Sequence, residues 1–385
     1  MRILFAFAGG HGHFEPLVPI ARAAAAAGHV VAVVGGHGMV PAIKAVGFTA
    51  FATGQPGTGA APRRPLLPLD AAREERDLRE NFARRLARER AADMLALGGE
   101  WKPDLVVCDE VDFGSMIAAE RLGLPYASVL VTAAGSFVRP SIVGQPLHQL
   151  RAEHGLPPDP ELAMLHRHLV LSPFPPSFRD PAFPLPATAH TIRPSALAPV
   201  QGATEPAWLA ALSDAPTVYF TLGTVFNREC GDLFARVLAG LRDVEVNVVA
   251  TVGPGIDPAE MGPQPARIRI TDYVSQSSVL PHCDAVVSHG GSGSVIGALA
   301  HGLPSVLLPM GADQPLNAGR SAALGVGRVL DALAATPESV RDALAAVLDK
   351  PTYRLAAQRL RKEIAALPPP LHAVPLLEEL ARRTG

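Results

Sequence analysis

Short apolar runs alternate along the chain with segments of helical periodicity. The runs at residues 2–8, 104–108, 217–221 and 285–288 consist mainly of apolar residues, which is typical of strands buried on both faces of a parallel sheet. Each run is followed by a glycine-rich or polar turn and then by a helical segment. This succession predicts an α/β fold built from βα units.

The βα units fall into two series, which are separated by a proline-dense stretch of weak periodicity at residues 156–199. We therefore predict two Rossmann-like domains that face each other across a cleft. The predicted boundaries place the N-terminal domain at residues 1–195, a linker at 196–206 and the second domain at 207–370. Ligands bind to open α/β sheets at the C-terminal ends of the strands, so the candidate chemistry is expected in the loops there.

Composition narrows the class of protein. The 385 residues, of which 48% are hydrophobic and 18% charged, are sufficient for two cores. The formal net charge of -2 gives no reason to expect nucleic-acid binding. No apolar run approaches the roughly 20 residues of a membrane span, and we expect no signal peptide. The three cysteines lack a metal-binding spacing, which favours a reduced, cytoplasmic location.

A glycine-rich turn in the second half of the chain has the features of an anion site. The run 285–288 leads into His289-Gly290-Gly291-Ser292-Gly293-Ser294, and a helical pattern follows at 295–300. A helix N-terminus offers unpaired N–H groups and positive potential. Such a turn can also be a simple βα connection without a ligand. Because Asp313 and Gln314 follow the next predicted strand, we favour a phosphate-bearing ligand.

A second candidate site follows the first predicted strand, in the sequence Gly9-Gly10-His11-Gly12-His13-Phe14-Glu15-Pro16. A histidine can act as a general base at neutral pH. His11 and His13 could instead begin a zinc site, but it would need further ligands from later strand ends, for which His289 is the one candidate. A dinucleotide fingerprint is not favoured, because Glu15 occupies its third glycine position.

Taken together, these motifs resemble those of a known family. The chain is similar to bacterial GT-B-fold glycosyltransferases of the UDP-glucuronosyltransferase-like superfamily, which glycosylate antibiotics and other natural products. The resemblance covers nearly the whole chain and is weakest at residues 133–199, where we expect acceptor-facing loops. Besides the N-terminal motif, it rests on Thr221-Leu222-Gly223-Thr224, Tyr273-Val274-Ser275-Gln276, the 289–294 turn and Asp313-Gln314-Pro315-Leu316-Asn317.

The resemblance implies a catalytic pair in the N-terminal domain. His13 matches the family's general base, and Asp109 matches by position the acidic residue that orients this base. Glu110 and Asp112 are the alternatives, and Asp109 could also merely cap the next helix. The resemblance implies a nucleoside diphosphate sugar as co-substrate, without a cofactor or a metal. It also implies that residues 371–385 form a helix that packs back on the N-terminal domain.

A donor site in the second domain is implied as well. His289, the 291–294 turn and Thr224 would bind the diphosphate, Asp313 and Gln314 would hold sugar hydroxyls, and the Tyr273-Val274 pair would lie along the nucleobase. The complete set of expected donor-binding residues is Gly12, Thr224, Tyr273, Val274, Gln276, His289, Gly291, Ser292, Gly293, Ser294, Asp313 and Gln314.

One position departs from the pattern of plant relatives, which bind the ribose hydroxyls through a Glu three residues beyond the match to Ser294. This chain has Gly297 there. Because Gly297 has no side chain to bind a ribose 2′-hydroxyl, we predict a thymidine-type donor, whose 2′ position is deoxy.

The predicted reaction is inverting, metal-independent transfer of a sugar, with a deoxysugar favoured, to a hydroxyl of a hydrophobic small molecule in antibiotic-type secondary metabolism. Phe113, Phe137 and Leu147 are candidates for the acceptor wall, although each could equally belong to the core. A nucleotide-sugar epimerase and a non-catalytic helper of a partner transferase stay open as alternative functions. A homodimer is one open possibility for the assembly.

Overall fold

The structure is a computed structural model that describes residues 1–56, 63–194, 206–253 and 255–384. Its described residues contain two parallel sheets, one in each half of the chain. The predicted α/β class with two Rossmann-like domains is therefore confirmed. Residues 196–205 of the predicted linker lie outside the described residues, so the domain boundaries at this point stay a prediction.

The N-terminal sheet has the strand order β3-β2-β1-β4-β5-β6-β7. Its strands are β1 Arg2–Ala6, β2 Val30–Gly36, β3 Thr49–Thr53, β4 Leu105–Asp109, β5 Tyr126–Val129, β6 Leu169–Ser172 and β7 Ala189–Thr191. The helices of this half are α1 His11–Phe14, α2 Val18–Ala26, α3 Val40–Ala45, α4 Ala71–Asp77, α5 Ala87–Trp101, α6 Phe113–Leu122 and α7 Pro140–Glu153. Alternate β1 side chains enter different cores, Ile3 and Phe5 on one face and Leu4 and Ala6 on the other.

The second sheet has the order β10-β9-β8-β11-β12-β13. Its strands are β8 Thr217–Thr221, β9 Asn247–Thr251, β10 Ile268–Thr271, β11 Ala285–Ser288, β12 Ser305–Leu307 and β13 Gly327–Val329. The helices are α8 Leu233–Arg242, α9 Gln276–Val279, α10 Ser292–Ala300, α11 Gln314–Ala323, α12 Pro337–Asp349, α13 Pro351–Ala366 and α14 Ala373–Thr384. Strands β8 and β11 lie side by side, so the loops that follow them are neighbours.

The described part of the region 133–199, residues 133–194, contains more regular structure than the sequence predicted. The expectation of acceptor-facing loops was wrong for α7, β6 and β7. Helix α7 has Pro146 in its interior, which weakens the helical signal. The two strands have four and three residues, too few to show a periodicity among prolines.

One long helix carries an irregularity. Helices α4 and α5 are continuous with each other, and the segment Leu78–Leu86 between them is π-helical. The side chain of Asp70 caps α4 by accepting a hydrogen bond of 3.1 Å from the Arg73 amide. Insertions of this kind occur often at functional sites, and this segment directs Phe82 toward the site described below.

Helix α14 packs on the N-terminal domain, as the resemblance implied. Ala373 and Leu377 are fully buried in the same core as Leu17 and Ile20 of the N-terminal domain. At the surface, Glu378 lies 3.1 Å from the His29 ring. The end of the chain thus ties the two halves together. No helix within the described ranges is both long and apolar enough to cross a bilayer.

A shared apolar cluster joins the two domains directly. Phe174 and Phe178 of the N-terminal half pack with Ile296 and Leu299 of α10. Arg320 adds a hydrogen bond of 3.0 Å to the Phe178 carbonyl. The interface therefore lies beside the C-terminal ends of both sheets, where ligands bind in this class of fold.

Candidate active site

His13 lies in the short helix α1, after the C-terminal end of β1. Its Nδ1 atom is 3.2 Å from Oδ2 of Asp109, which ends the neighbouring strand β4. The ring packs against Gly9, where φ is +144° and an added Cβ would lie only 2.5 Å from the His13 ring. Two adjacent strands and one glycine thus bring the predicted pair together.

The Asp109 carboxylate is fully buried and held from several directions. Oδ2 also accepts a hydrogen bond from the Ala8 amide, and Oδ1 accepts one from the Val111 amide, each of 2.7 Å. Because an ionised carboxylate only accepts hydrogen bonds, it keeps the proton on Nδ1 of His13 and leaves Nε2 as the basic atom. Asp109 is therefore placed to orient a base.

The two alternative acids have other partners. Glu110 accepts hydrogen bonds from the backbone amides of Val131 and Thr132. Asp112 caps α6 by accepting from the Ser115 amide at 3.2 Å, and it faces the buried guanidinium of Arg90 at 3.4 Å. The helix cap that was considered for Asp109 is thus supplied by Asp112.

The pKa of His13 is raised above its ordinary value of 6.5. Burial of the ring lowers this pKa, but the charge and hydrogen bond of Asp109, together with the smaller contributions of Asp313 and Glu110, raise it by more than burial lowers it. The imidazolium that forms when His13 takes up a proton is therefore stabilised.

Phe82 is a neighbour of His13 that the sequence analysis missed. Its ring lies nearly parallel to the His13 ring, with the centroids 6.2 Å apart and an interplanar angle of 22°. Phe82 stands in a run rich in Arg and Glu, a composition typical of a solvated helix face. The one available signal was a lone aromatic residue within that charged run.

The glycine-rich turn after β11 leads directly into α10. Gly291 is the N-cap, and the Val295 amide donates to the Gly291 carbonyl at 3.0 Å. Helix α10 thus begins at Ser292, three residues earlier than the apolar pattern indicated, because the small residues at its start carry no periodicity. The amides at positions 292–294 precede this bond and are available for an anion.

His289 is enclosed between the loops after β8 and β11. An added Cβ at either Gly223 or Gly291 would lie 2.6 Å from its Nε2 atom, so both positions need glycine. Burial lowers the pKa of His289 to about 4, and its Nδ1 atom has no hydrogen-bond partner. His289 is therefore neutral at pH 7 until an anion approaches, and the fixed positive charge expected there comes from the helix alone.

Ser292 and Asp313 lie together in a buried network. The Ser292 hydroxyl donates to Oδ2 of Asp313 at 2.6 Å and accepts from the Ala133 amide at 2.8 Å. Asn317 donates to the same Asp313 oxygen at 2.8 Å and to the Ser292 hydroxyl at 3.1 Å. The hydroxyl of Ser292 is thus fully used within the protein, which leaves its backbone amide for a ligand.

The other residues expected around the diphosphate and the sugar differ in which polar groups they leave free for a ligand. Thr224 is exposed after β8. Gln314 is buried, and its side-chain oxygen accepts from the Met310 and Gly311 amides, so the side-chain NH₂ is its remaining group. Gly12 and Gly293 line the same narrow cleft of about 30 Å³ between the domains.

The expected nucleobase pair is divided between surface and core. Tyr273 is 59% exposed at the rim. Val274 is buried in a core cluster with Val279 and Leu280, so its side chain does not face the cleft and only its backbone is left to lie along the nucleobase. Side chains alternate along an extended segment, and here Tyr273 has the outward position.

Gln276 occupies the space beside Gly297. An added Cβ at Gly297 would lie 2.7 Å from Oε1 of Gln276, whose Nε2 approaches the Ser294 hydroxyl at 3.4 Å. A longer side chain at position 297 would displace this amide. The site therefore presents Gln276 and Ser294 where the plant relatives present a carboxylate.

Comparisons with known proteins agree with this geometry. A family model described as the C-terminal domain of erythromycin biosynthesis protein CIII-like proteins matches residues 235–380. The chain is 31% identical to the TDP-daunosamine transferase DnrS of Streptomyces peucetius, over 100% of this chain and 97% of that protein. It is 29% identical to the 10-deoxymethynolide desosaminyltransferase of Streptomyces venezuelae, over 99% and 97%. The crystal structure of glycosyltransferase VinC in complex with DTDP superimposes with a TM-score of 0.79 at 27% identity, covering 100% of both chains.

The chain belongs to the GT-B glycosyltransferases of antibiotic biosynthesis. The resemblance stated from the motifs is thereby confirmed, and so is the reaction class, which is glycosyl transfer.

Two residues expected at the acceptor wall of this glycosyltransferase belong to the core instead. Phe113 and Leu147 have no exposed surface and lie in one cluster of the N-terminal domain. Phe137 is half-buried and packs against that cluster. Apolar wall and apolar core have the same sequence signature, so the structure was needed to separate them.

A cavity of about 190 Å³ lies at the C-terminal ends of β1, β2 and β3 of the glycosyltransferase. Gly9, against which His13 packs, forms part of its wall, and Asp93 and Arg90 of α5 form another part. It is the larger of the two cavities described here.

His11 does not join His13. Its Nδ1 atom lies 3.9 Å from Glu15, one helical turn away, and the side chain is 42% exposed. Across the described part of the chain, no three His, Cys, Asp or Glu side chains are grouped as metal ligands.

Proposed function

We propose that this glycosyltransferase moves a deoxysugar from a TDP-linked donor to a hydroxyl of a hydrophobic natural product, with inversion at the anomeric carbon and without a metal ion. The observation that carries the proposal is the His13–Asp109 pair at 3.2 Å. It faces the N-terminus of α10 across a cleft lined by Gly12 and Gly293.

In the proposed reaction, Nε2 of His13 removes the proton of the acceptor hydroxyl while its oxygen attacks the anomeric carbon. The bond from this carbon to the diphosphate oxygen breaks, and its electron pair leaves with the diphosphate. The α10 amides, His289 and Thr224 bind this leaving group, and Asp109 stabilises the imidazolium. Attack from the side opposite the leaving group inverts the configuration.

Two observations support a thymidine donor. Relatives are named for TDP-daunosamine transfer and for complexes with DTDP. In this chain Gly297 cannot bind a ribose hydroxyl, and the Gln276 amide fills the adjacent space. An amide beside a 2′-deoxy position leaves no buried hydroxyl unpaired.

The cavity beside Gly9 is the proposed binding site for part of the acceptor. Its volume of about 190 Å³ is smaller than the roughly 300–1,000 Å³ of whole-ligand pockets. We therefore assign it one ring or substituent of the acceptor, while the remainder extends into the cleft beside His13.

The decisive experiment compares His13→Ala with the neighbouring control His11→Ala. We expect His13→Ala to lower transfer about 100-fold or more, the size of a general-base contribution, with TDP affinity almost unchanged. His11→Ala should keep most of both. Transfer by His13→Ala at the wild-type rate would remove the base assignment.

The donor and metal assignments are checked by calorimetry of the wild type with TDP and UDP in the presence of EDTA. We expect TDP to bind more tightly than UDP and EDTA to change neither transfer nor affinity. NMR of the product fixes the anomeric configuration. Preferential binding of UDP would end the Gly297 argument while leaving the His13 mechanism standing.

A further inference from the structure

The segment 131–136 after β5 is buried although it has no regular secondary structure. Buried amides need hydrogen-bond partners. Oε1 of Glu110 accepts from both the Val131 amide, at 2.8 Å, and the Thr132 amide. One buried carboxylate oxygen therefore fixes the start of this segment.

The next two amides of the segment cross to the donor domain. The Ala133 amide donates to the Ser292 hydroxyl at 2.8 Å, and the Ala134 amide donates to Oδ1 of Asn317 at 3.2 Å. We call these two hydrogen bonds the interdomain clasp. Both acceptors lie in the donor site.

On the donor side, the clasp continues to a sugar-site carboxylate. Ser292 and Asn317 both donate to Oδ2 of Asp313, at 2.6 and 2.8 Å. Asn317 has no exposed surface. The loop that carries Asp313 is held from a second direction, because Glu74 of α4 accepts from the Ala312 amide at 2.8 Å.

We propose that Glu110 is a positioning residue that couples closure of the cleft to the orientation of Asp313. Glu110 holds the 131–134 backbone in place, so that the interdomain clasp can form when the domains close. Ser292 and Asn317 then bind Oδ2 of Asp313, which leaves Oδ1 to bind the sugar. This inference rests on the proposed function, because it assigns a sugar-binding role to Asp313.

The arrangement explains why two acids stand side by side at the end of β4. Asp109 orients His13, and Glu110 positions the backbone that forms the interdomain clasp. The end of one strand therefore positions both the base and the contact with the donor domain. The cleft beside Gly293 has a volume of about 30 Å³, so it must widen before a nucleotide sugar enters. When the cleft widens, the two hydrogen bonds of the interdomain clasp break, and they form again when the domains close on the bound donor.

The test uses Glu110→Ala and the conservative Glu110→Gln in the full-length protein. Both backbone amides bind to Oε1 alone, so a glutamine oxygen can replace it. We expect Glu110→Ala to lower kcat about 10- to 100-fold, as for a misplaced reacting group, with a much smaller effect on TDP affinity. Because Glu110 makes only a minor contribution to the raised pKa of His13, the acid limb of the rate should move less than in Asp109→Asn. Glu110→Gln should recover most of kcat.

A second variant approaches the interdomain clasp from the other domain. Ser292→Ala removes the hydroxyl that receives the Ala133 amide, and we expect it to reduce kcat as Glu110→Ala does. If both act on one clasp, the double variant should lose little more than either single variant. Fully additive losses, or a Glu110→Gln as impaired as Glu110→Ala, would overturn the proposal.

Hydrogen exchange of peptides covering residues 131–136 measures the interdomain clasp without any sugar transfer. We expect TDP to slow exchange in the wild type and in Glu110→Gln, but not in Glu110→Ala. If TDP slowed exchange in Glu110→Ala as much as in the wild type, this result would contradict the proposal whether or not the variant is active. Slowed exchange in a wild type that transfers no sugar would keep the clasp and reject the proposed function.

Discussion

The reactivity of His13 depends on one buried carboxylate. Burial lowers the pKa of His13, and the charge of Asp109 is the largest contribution that raises it. Removing this charge should therefore lower the pKa of His13. In the proposed mechanism the neutral imidazole is the base, so we expect activity above the pKa of His13 and its loss as the pH falls through this pKa. Asp109→Asn should therefore move the acid limb of kcat/KM to lower pH and reduce the limiting rate, by roughly 100-fold or more.

Rate–pH profiles of Asp109→Asn and the wild type test this expectation. Asp104→Asn is the matched control, since Asp104 is exposed at the opposite end of β4 and accepts the Arg2 amide at 2.7 Å. Its profile should coincide with that of the wild type. An acid limb that stays in place or moves upward in Asp109→Asn would show that another group controls the rate.

His289 is poised to respond to an anion. Burial lowers its pKa to about 4, so the ring is neutral at pH 6, and the charge of a bound diphosphate would raise this pKa. We expect TDP binding at pH 6 to take up a proton at His289. Proton uptake is obtained from binding enthalpies measured in buffers with different ionisation enthalpies.

The comparison with His289→Gln isolates this proton from those of the nucleotide itself. The variant should show less proton uptake and about 10-fold weaker TDP binding, the order of one charge-assisted hydrogen bond. His372→Gln, near the start of α14, is the control. Equal proton uptake by His289→Gln and the wild type would exclude His289 as the site.

Helix α14 contributes to the N-terminal core although it follows the donor domain in sequence. Leu377 is fully buried in the core that contains β1 and α2. Leu377→Ala should lower the free energy of unfolding by roughly 2–5 kcal/mol. Chemical denaturation measures this loss, with the exposed α14 variant Glu379→Ala as the control. A loss below about 1 kcal/mol would mean that α14 is not held in this core.

Elements with strong local signals could be predicted from the sequence. Strands β8 and β11 have the predicted bounds, because uniformly apolar runs with polar or glycine boundaries leave few alternatives. Strands β6 and β7 were missed since such short strands gain their stability from the neighbouring strands of the sheet, which a local pattern does not show.

The site follows the same division. His13 and Asp109 were predicted as a pair because they match motifs of the resembled family. The structure adds that the strands they stand beside, β1 and β4, are neighbours in the sheet. Phe82 and the role of Glu110 were not predicted, since both depend on contacts between distant segments. Phe113 and Leu147 could not be assigned from the sequence, because an apolar residue suits a binding wall and a core equally well.

At the level of the whole enzyme, neither domain holds a complete site. The proposed base and its carboxylate belong to the N-terminal half, and the proposed diphosphate-binding turn and Asp313 belong to the second half. Asp313 nevertheless contributes to the raised pKa of His13, so the charges of the two halves act on each other. Any motion that opens the cleft therefore also changes the basicity of His13.

The shared apolar cluster predicts that the two domains unfold together. Separating Phe174 and Phe178 from α10 would expose apolar side chains that are buried in the cluster, which disfavours a state with one domain folded.

The chain has two tryptophans, and they report on different halves, because Trp101 packs against an N-terminal core and Trp208 against a core of the second sheet. Trp101→Phe and Trp208→Phe should therefore show coincident fluorescence transitions in urea. TDP at about 100 times its Kd should stabilise both by roughly 2.7 kcal/mol, and two separate transitions, or a shift confined to Trp208, would show that the domains unfold independently.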